Sequence, residues 1–265
     1  MRSLFTRGLA ALAVAATAAV GITLPAAAAG VNYVPLGDSY SSGVGADDYL
    51  DSSGNCLRSE NAYSAVWAAQ NAPASYRSVA CSGARTGDVL ANQISALSSS
   101  TTLVSITIGG NDAGFSDIIK TCVLEGEGAC ISAVPAAEDK GRAELPGMLD
   151  TTYGAISSAA PSAQVVVLSY PEFYELGHTF CIGLSEKSRT KINEGINVID
   201  GVISEAAARA GFAFGDVRSN FDGHQLCSGS KWLHALNVSD LTVSYHPFES
   251  GQRGGYLPVF TAAAG

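Results

Sequence analysis

Short apolar runs punctuate the chain at intervals too long for hairpins, at residues 31–36, 78–81, 103–108, 165–168 and 212–214. They are continuous and rich in β-branched residues rather than alternating, the pattern of parallel strands buried on both faces. Between them lie stretches compatible with helices, at 61–71, 88–97, 113–122, 138–159 and 185–210. Strand alternating with helix predicts an α/β fold, a central parallel sheet with right-handed crossovers and helices on both faces. Asp88 and Ser185 read as helix N-caps, and Gly211 as a C-cap glycine. Residues 122–147 carry Gly126, Gly128, Pro135, Gly141 and Pro146 and read as loop-rich. Lying after the third strand, that stretch reads either as a wall of a ligand site, because open α/β sheets bind ligands beyond the carboxyl ends of their strands, or as a disulfide-stapled surface excursion.

The first 29 residues follow a different pattern. Arg2 and Arg7 precede an apolar run over 9–24, which Pro25 and the small residues Ala26 to Ala29 close. These are the charged, apolar and cleavage regions of a secretory signal. Residues 1–29 are expected to be removed near Ala29, leaving 30–265 as one secreted domain. A membrane anchor is disfavoured, because the run is short and built on Ala.

Charge narrows the partners. Lys and Arg number 15 against 24 Asp and Glu, a net charge of −9. Loss of the two signal arginines leaves 13 cations facing 24 acids, a charge of −11. Binding to nucleic acid is not expected on this ground, since neutralising phosphates takes clustered cations. The mature part holds six cysteines, at 56, 81, 122, 130, 181 and 227. An even number in an exported chain reads as disulfides, and the absence of C-x-x-C or H-E-x-x-H spacing argues against a zinc site. Joining neighbours, Cys56 with Cys81, Cys122 with Cys130 and Cys181 with Cys227, is the expected framework.

Chemistry concentrates at the strand ends. The first strand runs into Gly37-Asp38-Ser39-Tyr40, which sets a hydroxyl where a nucleophile should stand. The second ends in Cys81-Ser82-Gly83 and the third in Gly109-Gly110-Asn111-Asp112. Attack on an ester carbonyl creates a negative oxygen, and the N–H groups of Ser39 and Gly83 with the Asn111 amide could meet it. A serine nucleophile also needs a base. Of His178, His224, His234 and His246, the last lies in the loop before the final segment, where a chain returning over the sheet could reach the strand ends. Asp38 and Asp112 could form a glycosidase pair, though turn support explains each better. No G-x-S-x-G, Walker A or G-x-G-x-x-G run is present.

Gly37-Asp38-Ser39, Gly83, Gly109-Gly110-Asn111-Asp112 and His246 together resemble the four ordered blocks of the SGNH (GDSL) hydrolase family, and within it the secreted Streptomyces lipases and phospholipases A1. The resemblance implies a flavodoxin-like three-layer α/β/α sandwich and hydrolysis of carboxylic esters without metal or cofactor. It assigns Ser39 as nucleophile, His246 as base and acid, and Ser39 N–H, Gly83 N–H and Asn111 as oxyanion hole. Many relatives place Asp three residues before the His, where this chain has Val243. The resemblance then gives the Ser244 carbonyl the task of fixing the imidazole tautomer, with Asp240 the remaining nearby acid.

The reading is therefore a secreted triacylglycerol lipase or esterase, with phospholipase A1 and a noncatalytic binding protein as alternatives. A monomer acting on lipid or small esters, with transient contact to lipid surfaces, is expected. Chain-length preference is expected to depend on the loops at 170–181 and 123–145. No long amphipathic lid is legible, so dispersed esters should be cleaved without strong interfacial activation.

Overall fold

The computed structural model describes residues 30–178, 181, 183–237 and 239–265. The expected signal at 1–29 lies outside the described residues. Strand β1 (Asn32–Gly37) leads into a one-turn helix, α1 (Ser39–Ser42). Then come α2 (Tyr63–Asn71), β2 (Ser75–Tyr76), α3 (Thr86–Asp88), β3 (Leu103–Thr107), α4 (Phe115–Leu124) and α5 (Glu127–Ala159). The chain closes with β4 (Gln164–Leu168), α6 (Glu186–Ala210), β5 (Ala213–Gly215), α7 (Arg218–Phe221), α8 (Glu249–Gly251) and α9 (Leu257–Ala264). All five strands are parallel, in the order β2-β1-β3-β4-β5. On one face α5 packs against α4 and α6, and on the other α2 packs against α9, which lies over β4 and β5. The result is a three-layer α/β/α sandwich.

Strands β1, β3, β4 and β5 fall within a residue or so of their apolar runs, because side chains such as Leu36, Ile106 and Val167 are buried on both faces of the sheet. The second strand departs from expectation. Pairing is complete only at Ser75–Tyr76, and residues 77–81 run beside β1 with bonds in one direction, from the N–H groups of Arg77, Val79 and Cys81 to the carbonyls of Tyr33, Pro35 and Gly37. The reason lies in β1. Pro35 has no N–H to return, and the Gly37 N–H is taken by the Gln93 side chain at 2.7 Å.

The stretch at 122–147 is a second correction. From residue 127 it is helical, part of the 33-residue α5 with Pro135 and Pro146 inside it. Cys130, Val134, Gly141, Leu145, Leu149, Tyr153 and Ile156 recur on one buried face, so packing against α6 outweighs the local cost of glycine and proline. It does not wall the functional cleft. Asp88 also differs: it is the third residue of a helical turn, and its carboxylate reaches back to accept from the Arg85 N–H at 2.9 Å. Irregular helical turns continue from there through Ala96. Helix α4 begins at Phe115 rather than 113, whereas Ser185 caps α6 through a bond from the Ser188 N–H and Gly211 ends it at φ 73°.

Cystines join Cys56 to Cys81, Cys122 to Cys130 and Cys181 to Cys227. The first anchors the turn at 51–56 to the segment ending beside β1, and Ser82 N–H donates to the Cys56 carbonyl at 3.1 Å. No helix among the described residues is long and apolar enough to cross a membrane.

Candidate active site

Strand β1 ends on a glycine for a steric reason. Gly37 has φ 114°, and a Cβ there would stand 2.3 Å from the Thr107 carbonyl oxygen of β3. This close approach lets the chain turn at once into α1. Asp38 caps that helix, accepting from the Tyr40 N–H at 3.0 Å, and Ser39 occupies the first helical position. The Ser39 side chain thus stands beyond the carboxyl end of β1, beside β3.

His246 reaches the same point from the far end of the sequence. Its Nε2 lies 2.7 Å from Ser39 Oγ. Burial pushes the imidazole down from 6.5 to about 4, so it is neutral and able to accept a proton at neutral pH. The other ring nitrogen, Nδ1, is buried without a hydrogen bond of good geometry. The main-chain carbonyls of Ser244, Val243 and Thr242 face it and partly oppose the loss of basicity. Asp240 is engaged elsewhere: its carboxylate accepts from the Thr242 N–H at 3.0 Å at the surface.

Ser39, Gly83, Asn111, Ser244 and His246 all line one cleft of about 260 Å³. Asn111 Nδ2 donates one hydrogen to the Ala84 carbonyl at 3.0 Å, which fixes the amide plane and leaves its second hydrogen for a ligand. Asp112 does not face the reaction, since its carboxylate accepts from the Thr86 N–H and hydroxyl. Asp38 is sealed by bonds from Tyr170 at 2.5 Å and Thr107 at 2.7 Å. Burial raises its carboxyl from 3.8 to about 6. The two acids therefore support turns, and a glycosidase pair is not formed.

None of His178, His224 and His234 lines the cleft. His178 pairs with Glu175, His224 stacks on Trp232, and His234 Nε2 sits 2.8 Å from the Gly45 carbonyl. The cleft is walled by Phe115, Ile119, Phe173 and Ile199 on the apolar side. Of the loops expected to set its volume, 123–145 contributes nothing, and 170–181 contributes Tyr170 and Phe173 among the described residues.

A family model described as "GDSL-like Lipase/Acylhydrolase family" matches residues 36–253. The chain belongs to that family. It is 55% identical over 264 residues to Lipase 1 of Streptomyces coelicolor, spanning 100% of this chain and 97% of the relative. The crystal structure of an extracellular lipase from Streptomyces rimosus superposes with a TM-score of 0.86 at 54% identity, over 88% of this chain and 99% of that one. A phospholipase A1 structure from Streptomyces albidoflavus gives a TM-score of 0.86 at 52% identity, over 90% and 100%. As a GDSL-like acylhydrolase, the chain is a carboxylic ester hydrolase.

Sequence reasoning missed several residues of the site. Tyr40, Tyr170, Gln93 and Gln252 are buried polar side chains that bridge distant segments. Each is a single residue without periodicity, and only Gly37-Asp38-Ser39 beside Tyr40 marked the neighbourhood as special.

Proposed function

We propose that this protein is a secreted lipase or esterase that cleaves acylglycerols and other fatty acyl esters through an acyl-enzyme. The observation that carries the reading is the 2.7 Å approach of His246 Nε2 to Ser39 Oγ at the floor of an apolar cleft. As Ser39 Oγ bonds to the ester carbon, its proton passes to Nε2 and the carbonyl electrons move onto oxygen. The N–H groups of Ser39 and Gly83 and the free Asn111 hydrogen meet that charge. The imidazolium then protonates the departing alcohol as the C–O bond breaks. Water attacks the acyl-enzyme by the same route, giving its proton to His246, which returns one to Ser39.

The Ser244 carbonyl is assigned the Nδ1 proton. In the resting state that nitrogen lacks a closed bond, and a positive ring would draw the carbonyl in. A carbonyl orients the ring but supplies less charge stabilisation than a carboxylate. Export is supported by the basic and apolar opening of the chain, its three cystines and its similarity to an extracellular lipase.

A fluorophosphonate should label the protein at Ser39, and Ser39→Ala should lose both labelling and turnover; an active Ala variant would refute the assignment. Phospholipase A1 activity is the second reading. Lys120, the lysine lining the cleft among the described residues, is largely exposed and could meet a phosphate, and the likeness to a phospholipase A1 is as close as that to a lipase. Rates on p-nitrophenyl esters, triacylglycerols and phosphatidylcholine decide between the two.

A further inference from the structure

A base without a carboxylate partner must be held by something else, and the residue before it is held in an unusual way. Tyr245 has φ 65°, the left-handed region that a bulky side chain seldom adopts. Its carbonyl accepts a buried hydrogen bond from Tyr40 Oη at 2.8 Å. Tyr40 directly follows Ser39, so one bond links the neighbour of the nucleophile to the neighbour of the base. The Tyr40 ring also lies against the imidazole, with centroids 5.1 Å apart.

The rest of the setting fixes both ends of this bond. Tyr40 is pinned from behind, since fully buried Gln252 donates to its carbonyl at 3.1 Å while accepting from the Tyr63 N–H at 3.0 Å. Tyr245 stacks on Phe173 at 5.1 Å, and its hydroxyl pairs with that of Tyr174 at 2.8 Å. Its N–H donates to the His234 carbonyl at 2.9 Å, and the His234 N–H donates to the His246 carbonyl at 2.9 Å. Gly45 packs beside His246, and a Cβ added there would lie 3.1 Å from the His246 Cβ.

We propose that Tyr40 is a positioning residue of the reaction: its hydroxyl clamps the left-handed Tyr245 peptide and thereby aims the His246 ring at Ser39, sharing with the Ser244 carbonyl the orienting task that a third acid performs in a side-chain triad. The inference rests on the Ser39/His246 reading above. It does not involve Tyr40 touching the substrate ester or transferring a proton.

The test is Tyr40→Phe, which removes one oxygen and keeps the ring. The expected result is a fall in kcat of about tenfold or more with KM within about twofold, and a parallel fall in the rate at which a fluorophosphonate labels Ser39. A Tyr40→Phe enzyme with kcat within twofold of the parent overturns the proposal. In the parent protein itself, the Tyr40 hydroxyl proton should exchange slowly and give a downfield proton resonance. A freely exchanging hydroxyl overturns the proposal even where the Phe variant fails to fold. Ser39→Ala and His246→Ala serve as controls: if they retain turnover the catalytic reading itself fails, whereas dead controls beside a fully active Tyr40→Phe remove only the clamp.

Discussion

Tyr170 joins the turn that carries Ser39 to the turn that carries Asn111. Its hydroxyl donates to Asp38 Oδ2 at 2.5 Å and accepts from the Gly110 N–H at 3.1 Å. Asp38 caps the helix that carries Ser39, and Gly110 precedes Asn111. Replacing Tyr170 by Phe leaves a buried carboxylate oxygen and a peptide N–H without this partner, which costs about 2–4 kcal/mol of stability. The expected outcome is a lowered thermal midpoint together with a kcat loss larger than any change in KM. A variant with parental melting would contradict it.

The pH response follows from two opposite shifts. Burial holds His246 at about 4 instead of 6.5, so the acid limb of kcat/KM should have its midpoint near pH 4; a limb near 6.5 would contradict this. Between pH 6.5 and 4 the unfolded chain binds a proton at His246 that the folded chain refuses, so this group makes stability fall as pH falls, by about 3 kcal/mol over the window. Asp38 works the other way. Its carboxyl, raised by burial to about 6, holds a proton that the unfolded chain has released, so its contribution is full below about pH 4 and lost as pH rises through 6. The two nearly offset in the parent. Denaturant titrations of Asp38→Asn should therefore show a steeper loss of stability from pH 6 to 4 than the parent shows.

Asn111 presents one hydrogen to the cleft because the other is bonded to Ala84. Removal of such a donor lowers kcat by about 10²–10³. Asn111→Ala is expected to lose activity in that range at nearly constant KM and melting temperature. Asn111→Asp should lose more, since it sets a negative charge where the oxyanion forms. Steady-state kinetics of both variants check the order.

The Cys56–Cys81 cystine lies two residues before Gly83 and spans a sequence separation of 25. Its loss as the double Ser variant should cost about 2–4 kcal/mol of stability. Because Cys81 N–H also donates to the Gly37 carbonyl at 3.0 Å, the expected kinetic effect is a lower kcat from a loosened Gly83. Melting and ester turnover with and without reductant measure both.

Much of the fold is legible because β1, β3, β4 and β5 bury continuous apolar runs, and the sites lie where those runs stop. The second strand misleads, since a single Pro35 in its neighbour withdraws the donor that full pairing requires. Helix α5 misleads in the opposite sense. Its glycines and prolines argue for loops locally, yet residues 130, 134, 141, 145 and 149 carry a helical repeat that gains meaning only once α6 is there to cover it. Ser39, Gly83, Asn111 and His246 are legible as ordered motifs with a shared chemistry. Tyr40 and Tyr170 are not, because a hydroxyl that bonds across 205 or 132 positions leaves no trace in spacing.

Ser39 and His246 are separated by 207 positions, so their meeting is among the longest-range closures the chain makes. A polypeptide emerging from its N-terminus presents the Ser39 hydroxyl long before its proposed base, and turnover is expected only once position 246 has joined the fold. During refolding, sheet signals should accordingly recover ahead of ester turnover.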